Sequence, residues 1–376
     1  MITFSAVVTA CEKVGDYYEA VLDRTAFFPE GGGQSADKGV VGGVRVLDVQ
    51  EKGDCIYHTV EQPLEVGTVV EGTIDWEERF SNMQQHSGEH IVSGIVHATF
   101  GYNNVGFHMG KDVITIDFNG PITKEELKDI ERRANEAVVQ NLDVQVLYPT
   151  REELKNLKYR SKIEIEGQVR LVTVPGHDLC ACCAPHVKKT GEIGLIKFVG
   201  MQNYKGGVRV SMLCGARAIA DYEEKSESIK QLSTMLSAPE NEVVDEVSRL
   251  KAEISEQKYQ IAGLQQKLLE YKVLEVEQGS DLAVMFEESL EGNMARKLVN
   301  LLMKREVRVG AVFVGEKDNY RYVIGSRSED VRPIAKMLND KFQGRGGGKP
   351  EMVQGSLNGS ESEIREAMEH CRKEGF

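Results

Sequence analysis

Two pairs of candidate metal ligands constrain the fold of this chain more than any other feature, because they lie far apart in the sequence. His86 and His90 are four residues apart in a segment with helical periodicity, so both imidazoles face one side of a helix. Cys182 and His186 have the same spacing. Imidazole nitrogen and thiolate sulfur are donors that zinc prefers, and four of them complete a tetrahedral site. The sequence therefore predicts a fold that joins two distant segments around one zinc ion.

The choice of cysteine, and the kind of site, stay open at this level. Cys182 has the correct spacing to His186, whereas Cys180 and Cys183 are alternatives. A histidine pair alone is more often structural or accidental than a pair of ligands. A closed structural zinc site would use the same four residues. Because the ligands form two distant pairs and not one compact finger, an open site that faces a substrate is equally consistent with the spacing.

Length, charge and cysteine usage limit the class of protein. A chain of 376 residues is too long for one ordinary core and predicts two to four domains. Its cysteines do not form a disulfide framework, and it contains no secretory signal or membrane-spanning apolar run, so we expect a cytoplasmic protein with no membrane partner. The net charge of −13 argues against nucleic acid as a partner. However, Arg151–Arg170 contains six basic and four acidic residues, which leaves a local RNA-binding face open.

Residues 1–78 are predicted to form a small β-barrel, because short β-rich segments alternate with Gly or Asp. The predicted strands are Phe4–Val8, Tyr17–Leu22, Val40–Val49, Ile56–Val60 and Val69–Ile74. The loop Phe27–Gly39 interrupts this pattern with three consecutive glycines, Gly31, Gly32 and Gly33, followed by Gln34. These glycines predict either close approach of the backbone to a ligand or a flexible hairpin tip.

Residues 79–218 are predicted to form an α+β domain that contains the metal ligands. A helix that starts near Asp75 carries the histidine pair and ends at Gly101, and Thr123 and Thr150 each begin a capping box. The segment Gly106–Gly110 is predicted to be a loop. Predicted strands are Val113–Phe118, Val144–Tyr148, Val169–Val174, and an antiparallel pair formed by Ile193–Val199 and Val208–Leu213.

Residues 219–278 have the pattern of a coiled coil. Apolar residues alternate steps of four and three from Val243 to Tyr271, with one polar interruption at Gln257. Ser237–Pro239 divides the region into two helices. The seam predicts a homodimer through residues 243–271, and the alternative is that it folds against its own earlier helix.

Residues 279–376 alternate strands and helices, which predicts a small α/β domain with a glycine-rich loop, Gln343–Pro350. This loop is not a Walker phosphate loop, because Pro350 follows Lys349 where a hydroxyl residue would hold magnesium. The backbone amides beside Arg345 and Lys349, which flank Gly346, Gly347 and Gly348, could still bind RNA phosphates. The fold class predicted for the whole chain is therefore multidomain α+β.

Two residues are candidates for catalysis. Glu89 lies between the paired histidines, and a carboxylate near zinc can act as a general base; the alternative is a solvated glutamate on the helix surface. His108 lies between glycines in the predicted loop, where exposed polar residues are often functional; the alternative is an ordinary surface histidine. Among the remaining histidines, His177 is close enough to the cysteines to support a ligand.

The order of these features resembles the alanyl-tRNA editing proteins in their long form. The resemblance rests on the glycine-rich loop Phe28–Gln34, the two ligand pairs, the segment Thr190–Gly194, the coiled coil and the terminal GGG motif. It covers essentially the whole chain. Proteins of this family look like alanyl-tRNA synthetase without its aminoacylation half, and their last domain is similar to the DHH-associated domain.

The resemblance implies a deacylase that acts in trans on tRNA(Ala) charged with serine, with glycine as a second candidate. It implies zinc bound by His86, His90, Cys182 and His186, and tRNA contacts at Gly31–Gln34 and Arg345–Lys349. Two positions depart from the family pattern: Glu89 stands where the family often has Thr, and Cys182–His186 reads CCAPH where the family often has CGGTH. Both departures lie in the pocket. The alternatives are a zinc-stabilised, dimeric tRNA-binding protein without hydrolytic activity, and a deacylase of a different mischarged tRNA.

Overall fold

The computed structural model describes residues 2–161, 167–290 and 292–376. The chain forms two compact units, Met1–Leu232 and Ser233–Phe376, and each combines helices with sheet, which confirms the predicted multidomain α+β class. The finer division into four domains stays a prediction. Part of the predicted basic stretch, residues 162–166, lies outside the described residues. Within the described ranges, no helix has both the length and the apolar character needed to cross a membrane.

The first unit begins with a closed barrel of six antiparallel strands, which confirms the predicted barrel. In the order of the barrel, the strands are β1 (Thr3–Val14), β2 (Tyr17–Leu22), β5 (Cys55–Val60), β4 (Val44–Lys52), β3 (Gly39–Val41) and β6 (Val69–Ile74). Apolar side chains, many of them small or β-branched, fill the interior. The innermost are Val8, Ala20, Val41, Val46 and Val60.

The predicted single strand Val40–Val49 is wrong, because the structure divides it into β3 and β4. The turn between them is made by Gly42 and Gly43, whose φ angles of 55° and 80° lie in the left-handed region that glycine adopts without a steric penalty. A bulge in the pairing of β4 with β5 follows Val46. The extra residue lets Val46 and Val49 both face the interior although they are three positions apart.

His58 is fully buried in the barrel wall. We therefore expect the stability of the protein to decrease at acidic pH. Its ring is hydrogen-bonded to Thr25 Oγ1 at 2.9 Å and to the Ala20 carbonyl at 3.1 Å. Burial lowers the pKa of His58 below its usual 6.5, although the Ala20 hydrogen bond opposes this. Below pH 6.5 the unfolded chain therefore binds a proton that the native barrel does not, and stability falls as the pH falls, by at most about 1.4 kcal/mol per pH unit from this group.

Urea unfolding at pH 7.5 and pH 5.5 measures this effect. We expect His58→Gln to lose less stability than the wild type between the two pH values. Equal losses in the two proteins would assign the acid sensitivity to other groups.

The helix α1 (Trp76–Phe100) follows the barrel and is buried along most of its length. Gly101 ends it with a φ of 72°, as predicted from the sequence. The helix packs against α2 (Lys124–Val139), whose start at Thr123 has the predicted capping box. Ile91 and Ile95 of α1 belong to a core that also includes Ile116 and Met212. This burial fixes the helix and therefore the position of its two histidines.

Two sheets complete the first unit. One has the order β12 (Ile196–Tyr204), β13 (Gly207–Cys214), β8 (Ile114–Phe118) and β7 (Asn104–Met109); the other has the order β11 (Asp178–Ala181), β10 (Leu171–Val174) and β9 (Gln145–Leu147). The antiparallel pairing of β12 with β13 confirms the predicted pair. The short helix α3 (Arg151–Leu154) starts with the capping box predicted at Thr150. The predicted loop at Gly106–Gly110 is wrong, since most of it belongs to β7, which pairs with β8.

Two long helices occupy the segment predicted to be a coiled coil: α4 (Gly215–Leu236), which contains the boundary between the units, and α5 (Val243–Leu274). Leu269 and Val273 of α5 are buried in the core of the second unit. Residues of the predicted seam are exposed, including Ile254, Ile261 and Leu264. The helical character of the segment is thus confirmed, whereas a coiled coil stays a prediction.

The second unit contains a five-stranded sheet with the order β14 (Leu282–Glu287), β15 (Val309–Glu316), β16 (Asn319–Ser326), β18 (Met352–Asn358) and β17 (Arg345–Lys349). Its helices are α6 (Met294–Lys304), α7 (Arg332–Lys341) and α8 (Glu361–Glu374). The predicted loop around Gly346 is wrong, because Arg345–Lys349 forms an exposed edge strand paired with β18.

Candidate metal centre

The fold of the first unit brings the two predicted ligand pairs together. His86 and His90 project from one face of α1, and Cys182 and His186 follow β11. Their potential ligand atoms all lie within 4.8 Å of one another. The Cys182 Sγ atom is 3.6 Å from His86 Nε2 and 3.3 Å from His186 Nε2. These four side chains form the group that can hold a metal ion, and we call them the His3Cys centre.

Each imidazole of the centre is oriented by a hydrogen bond at its other nitrogen. His86 Nδ1 donates to Gln34 Oε1 at 3.0 Å, and His90 Nδ1 donates to Asp178 Oδ2 at 2.9 Å. His186 Nδ1 is hydrogen-bonded to Ser87 Oγ at 3.0 Å. Such contacts fix the ring and its tautomer, and leave Nε2 for a metal.

None of these three supporting roles was predicted from the sequence. The resemblance implies tRNA contact for Gln34, and the sequence indicates a supporting role for His177 and not for its neighbour Asp178. Ser87 is adjacent to His86, which is the only signal for it in the motif. All three supporting residues are distant in sequence from the histidines that they orient, since Ser87 supports His186 and not its neighbour His86, so spacing alone does not reveal them.

The environment of Cys182 favours its thiolate form. Burial acts to raise the pKa of this thiol, but hydrogen bonds with His186, His86 and His90 outweigh burial and lower the pKa to about 2. By contrast, burial raises the pKa of Cys180 to about 12, and the pKa of Cys183 is also raised by burial. A thiolate is the form that binds metal. Among the three cysteines, Cys182 is therefore the best suited as a ligand.

Cys180 belongs to a second close group, with His90 and Asp178. The Asp178 carboxylate is already engaged, because Arg160 donates to both of its oxygens, at 2.7 Å and 2.9 Å, and His90 donates to one of them. This group is therefore better described as the support of His90 than as another metal site.

Asp178 provides a direct test of this support. We expect Asp178→Asn to weaken metal binding by about 10- to 100-fold, because the amide cannot replace the charged acceptor of the His90 proton. Competition with a coloured chelator measures the affinity. The exposed Asp143, which pairs with Lys189, is the matched control, and Asp143→Asn should leave the affinity unchanged. Equal affinities of wild type and Asp178→Asn would contradict the assigned role.

A cavity of about 640 Å³ adjoins the His3Cys centre. His86, His90 and Cys182 contribute to its wall, as do Glu89 and Gly32. The rest of the lining is mixed, with the apolar side chains Val105 and Phe107 and the polar side chains Ser161, Gln168 and Arg170. A metal at the centre would therefore lie at the side of a space that can accept a small organic group.

Of the two residues predicted to be catalytic, only Glu89 lies at the cavity. Glu89 is buried beside His90 and lines the cavity, so the alternative of a solvated surface glutamate is wrong. His108 is exposed on β7, while its neighbour Phe107 contacts the His86 ring, with 5.1 Å between ring centroids. Since successive side chains of a strand face opposite sides, the structure does not bring His108 to the centre.

The residues predicted to contact tRNA belong to both units and differ in how deeply they are buried. Gly32 lines the cavity, whereas Gln34 is buried and supports His86. Gly33 has a φ of 84°, and a Cβ atom there would lie 2.7 Å from the Phe107 carbonyl oxygen. The glycine at this position is therefore required by packing against β7. Arg345–Lys349 belongs to the second unit, on the exposed edge strand.

Three family models match the chain. They are the tRNA synthetases class II (A) over residues 3–78, the threonyl and alanyl tRNA synthetase second additional domain over residues 169–211, and the DHHA1 domain over residues 279–374. The second of these matches includes Cys182 and His186. The ligand pair on α1 lies outside the matched residues, so the spatial convergence described above supports it independently.

Curated relatives extend this similarity to the whole chain. The alanyl-tRNA editing protein AlaX-L of Pyrococcus horikoshii is 29% identical over 96% of this chain and 93% of its own length. This similarity over nearly the full length of both chains, together with the three matched domains, fits a long-form alanyl-tRNA editing protein. The alanine–tRNA ligase of Pyrococcus furiosus is 33% identical over 94% of this chain, and that of Pyrococcus abyssi is 31% identical over 96%. The chain spans only about 40% of these two ligases.

Proposed function

We propose that the protein hydrolyses the ester of tRNA(Ala) charged with the wrong amino acid, with serine as the main substrate and glycine as the second. The observation that carries the proposal is the convergence of three imidazoles and one thiol beside a cavity, whose wall includes His86, His90 and Cys182. A family relationship to an alanyl-tRNA editing protein supports it. The cytoplasm is the compartment that we propose for this activity.

Zinc is the metal that we propose for the His3Cys centre, with one ion per chain. Three nitrogen donors and one thiolate are a ligand set that zinc accepts readily, and the fixed orientation of each ring favours binding over collapse of the site. His86, His90, Cys182 and His186 would hold it. When bound, zinc supplies positive charge that can polarise a carbonyl group or orient the aminoacyl end.

Arg170 has a positioning role in this proposal. Its Nη1 donates to the carbonyl oxygens of Cys182, at 2.5 Å, and Ala184, at 3.0 Å. These bonds hold the loop that carries two of the ligands, and the same side chain lines the cavity. A rigid ligand loop keeps the reacting ester in one place relative to the centre, which is how positioning contributes to rate.

The reaction itself requires modest catalysis, because an aminoacyl ester is already activated. Water adds to the carbonyl carbon, the bond to the ribose oxygen breaks, and the proton of water passes to that oxygen, which leaves free amino acid and uncharged tRNA. Serine differs from alanine by one hydroxyl group. A polar site that binds this hydroxyl rejects alanine more strongly than an apolar pocket can, and Ser161 and Gln168 in the cavity wall are polar.

The contacts with tRNA are part of the same proposal. Gly31–Gln34 would flank the 3′ end, since Gly32 lies in the cavity wall. In the second unit, the exposed β17 places Arg345 and Lys349 at its two ends, around three glycines. Two cations on an open strand edge can contact phosphates without reading sequence.

A panel of charged tRNAs tests the proposed function. Purified protein is incubated with Ser-tRNA(Ala), Gly-tRNA(Ala) and Ala-tRNA(Ala), and with serine and glycine on their own tRNAs. We expect release from the first two and little release from Ala-tRNA(Ala). Release at the buffer rate in every case, with tRNA binding retained, would favour a zinc-stabilised binding protein; preferential cleavage of another pair would identify a different substrate.

A homodimer through residues 243–271 belongs to the proposal, because apolar side chains of the seam are exposed on α5. In the full chain, we expect Leu264→Glu with Leu268→Glu to convert a dimer into a monomer, since charges at core positions of a coiled coil destabilise it. Sedimentation equilibrium measures the mass. Lys267→Glu is the control, because Lys267 is exposed but lies outside the seam. A wild-type monomer, or a dimer of the double variant, would refute this interface.

A further inference from the structure

Glu89 is a buried acidic residue at the boundary between the His3Cys centre and the cavity. Only 2% of it is exposed, and it lines the cavity next to His90. A buried carboxylate is costly unless other groups stabilise its charge. The contacts of Glu89 therefore indicate what the residue can bind.

One carboxylate oxygen of Glu89 is anchored by two neutral side chains. Ser93 Oγ donates to Oε1 at 2.6 Å, and Asn104 Nδ2 donates to the same oxygen. The Asn104 side chain has a defined orientation, because its Oδ1 accepts a hydrogen bond from the Gly106 amide at 3.1 Å. Both donors are themselves buried. These two neutral donors hold the carboxylate in place as a hydrogen-bond acceptor.

The other oxygen of Glu89 faces the metal centre. Oε2 lies 4.0 Å from His90 Nε2, which is the ring nitrogen that is not hydrogen-bonded to Asp178. The nearby Asp178 carboxylate is matched by Arg160, and the Cys182 thiol is surrounded by imidazoles. Glu89 itself interacts electrostatically with His90 and Arg160, and it places an anchored carboxylate at the end of the cavity at which a substrate would react.

We propose that Glu89 binds the α-ammonium group of the aminoacyl ester and restricts the substrate to esters with a free amine. The inference rests on the proposed function. In any α-aminoacyl ester the ammonium nitrogen is separated from the carbonyl carbon by one atom. An ester that reacts beside the centre therefore places its ammonium group next to the centre too, and an anchored carboxylate is a charge-assisted acceptor for it.

This role explains why a carboxylate is present where a neutral hydroxyl residue would also fit a small pocket. Esters whose amine is acylated, such as peptidyl-tRNA and N-acetylated aminoacyl-tRNA, lack the cation and present a bulkier amide to the same carboxylate. Glu89 would exclude them, so that the enzyme removes single amino acids and leaves growing peptides attached to tRNA.

Calorimetry with stable analogues tests the proposal without any hydrolysis. The zinc-loaded full chain is titrated with 3′-(L-seryl)amino-3′-deoxyadenosine and with the 3-hydroxypropanoyl analogue, which lacks only the amine. We expect the wild type to prefer the amine by about 10- to 100-fold, as for a hydrogen bond between charged groups. Glu89→Gln should reduce this preference to less than about 3-fold, and Glu89→Asp should retain part of it. Failure of the amine analogue to bind, equal binding of the two analogues by the wild type, or a preference that survives in Glu89→Gln would overturn the proposal.

Two further measurements separate this role from the alternatives. If Glu89 is a metal ligand, Glu89→Gln will lose zinc or change the visible spectrum of the cobalt-substituted protein, which would overturn the proposal. If Glu89 is only a general base, Glu89→Gln will slow cleavage of Ser-tRNA(Ala) and N-acetyl-Ser-tRNA(Ala) by the same factor, which would also overturn it. We expect instead that the wild type cleaves Ser-tRNA(Ala) and leaves N-acetyl-Ser-tRNA(Ala) intact. In Glu89→Gln, the difference between the two cleavage rates should be smaller. Absence of cleavage by wild type, with the calorimetric preference intact, would refute the proposed function and not the amine contact.

Discussion

His90→Ala is expected to abolish stable zinc binding and, with it, deacylation of Ser-tRNA(Ala). The variant removes one of four donors and leaves Asp178 and Arg160 without the imidazole between them and the centre. Loss of an outer partner alone weakens metal sites by about 10- to 100-fold, so loss of a ligand should cost more than that. Zinc per chain, measured by mass spectrometry after dialysis, should fall from about one to near zero, and the single-turnover rate should fall to the buffer rate.

His108→Ala is the matched control for this experiment. The residue is a histidine of the same unit, but it is exposed on β7 and does not line the cavity. We expect zinc content and rate to remain those of the wild type. Full zinc content in His90→Ala would contradict the assigned ligand set. Loss of activity in His108→Ala would restore the role first predicted for that residue. His86→Asn repeats the test at a second ligand with a side chain of similar size.

The ligand pairs could be predicted from the sequence because helix geometry is local. Four residues advance a helix by slightly more than one turn, so His86 and His90 share a face whatever surrounds them. The three supporting groups could not be predicted in the same way. Gln34, Ser87 and Asp178 acquire their roles only when the barrel loop, α1 and β11 meet, and this depends on packing across the whole first unit.

Two of the errors in the fold share one physical origin. Gly106–Gly110 and Gln343–Pro350 were predicted to be loops because glycine weakens the intrinsic preference for strand. In the structure, β7 and β17 each pair with a neighbouring strand, whose ladder of hydrogen bonds stabilises the extended backbone. At Gly33 the glycine serves close packing against Phe107. A glycine can be required because a side chain would clash with neighbouring atoms, or because the backbone adopts dihedral angles that other residues avoid. The sequence alone does not show which of these two reasons applies.

The apolar seam of α5 shows that a regular sequence pattern can also predict more than a single chain displays. Its heptad spacing predicts a partner helix, and the structure leaves Ile254, Ile261 and Leu264 exposed in the single chain. Meanwhile Leu269 and Val273, which are off the seam, are buried in the second unit. One helix thus carries two apolar faces, of which one is buried in the second unit and the other is exposed in the single chain, and periodicity detects the longer one first.

Arg79→Met is expected to destabilise the first unit strongly. Arg79 Nε donates to Asp37 Oδ1 at 2.8 Å, its Nη2 donates to Asp37 Oδ2, and Nη2 also donates to the Ala26 carbonyl at 3.0 Å. Asp37 accepts a further bond from the Phe28 amide at 2.7 Å. The pair therefore fastens the glycine-rich loop, which carries Gln34, to the first turns of α1.

Because the Asp37 side chain is almost fully buried, removal of Arg79 leaves an uncompensated charge in the interior. Such a loss costs about 3–5 kcal/mol, and urea unfolding of the zinc-loaded protein should show it. The exposed pair of Lys38 and Glu78 is the control, since Lys38→Met should change the free energy of unfolding by less than about 1 kcal/mol. Asp37→Leu combined with Arg79→Met should recover part of the loss, because the double variant buries no unpaired charge. If Arg79→Met were as stable as Lys38→Met, the loop would be held by its backbone bonds alone, and the link from this ion pair through Gln34 to His86 would have no energetic basis.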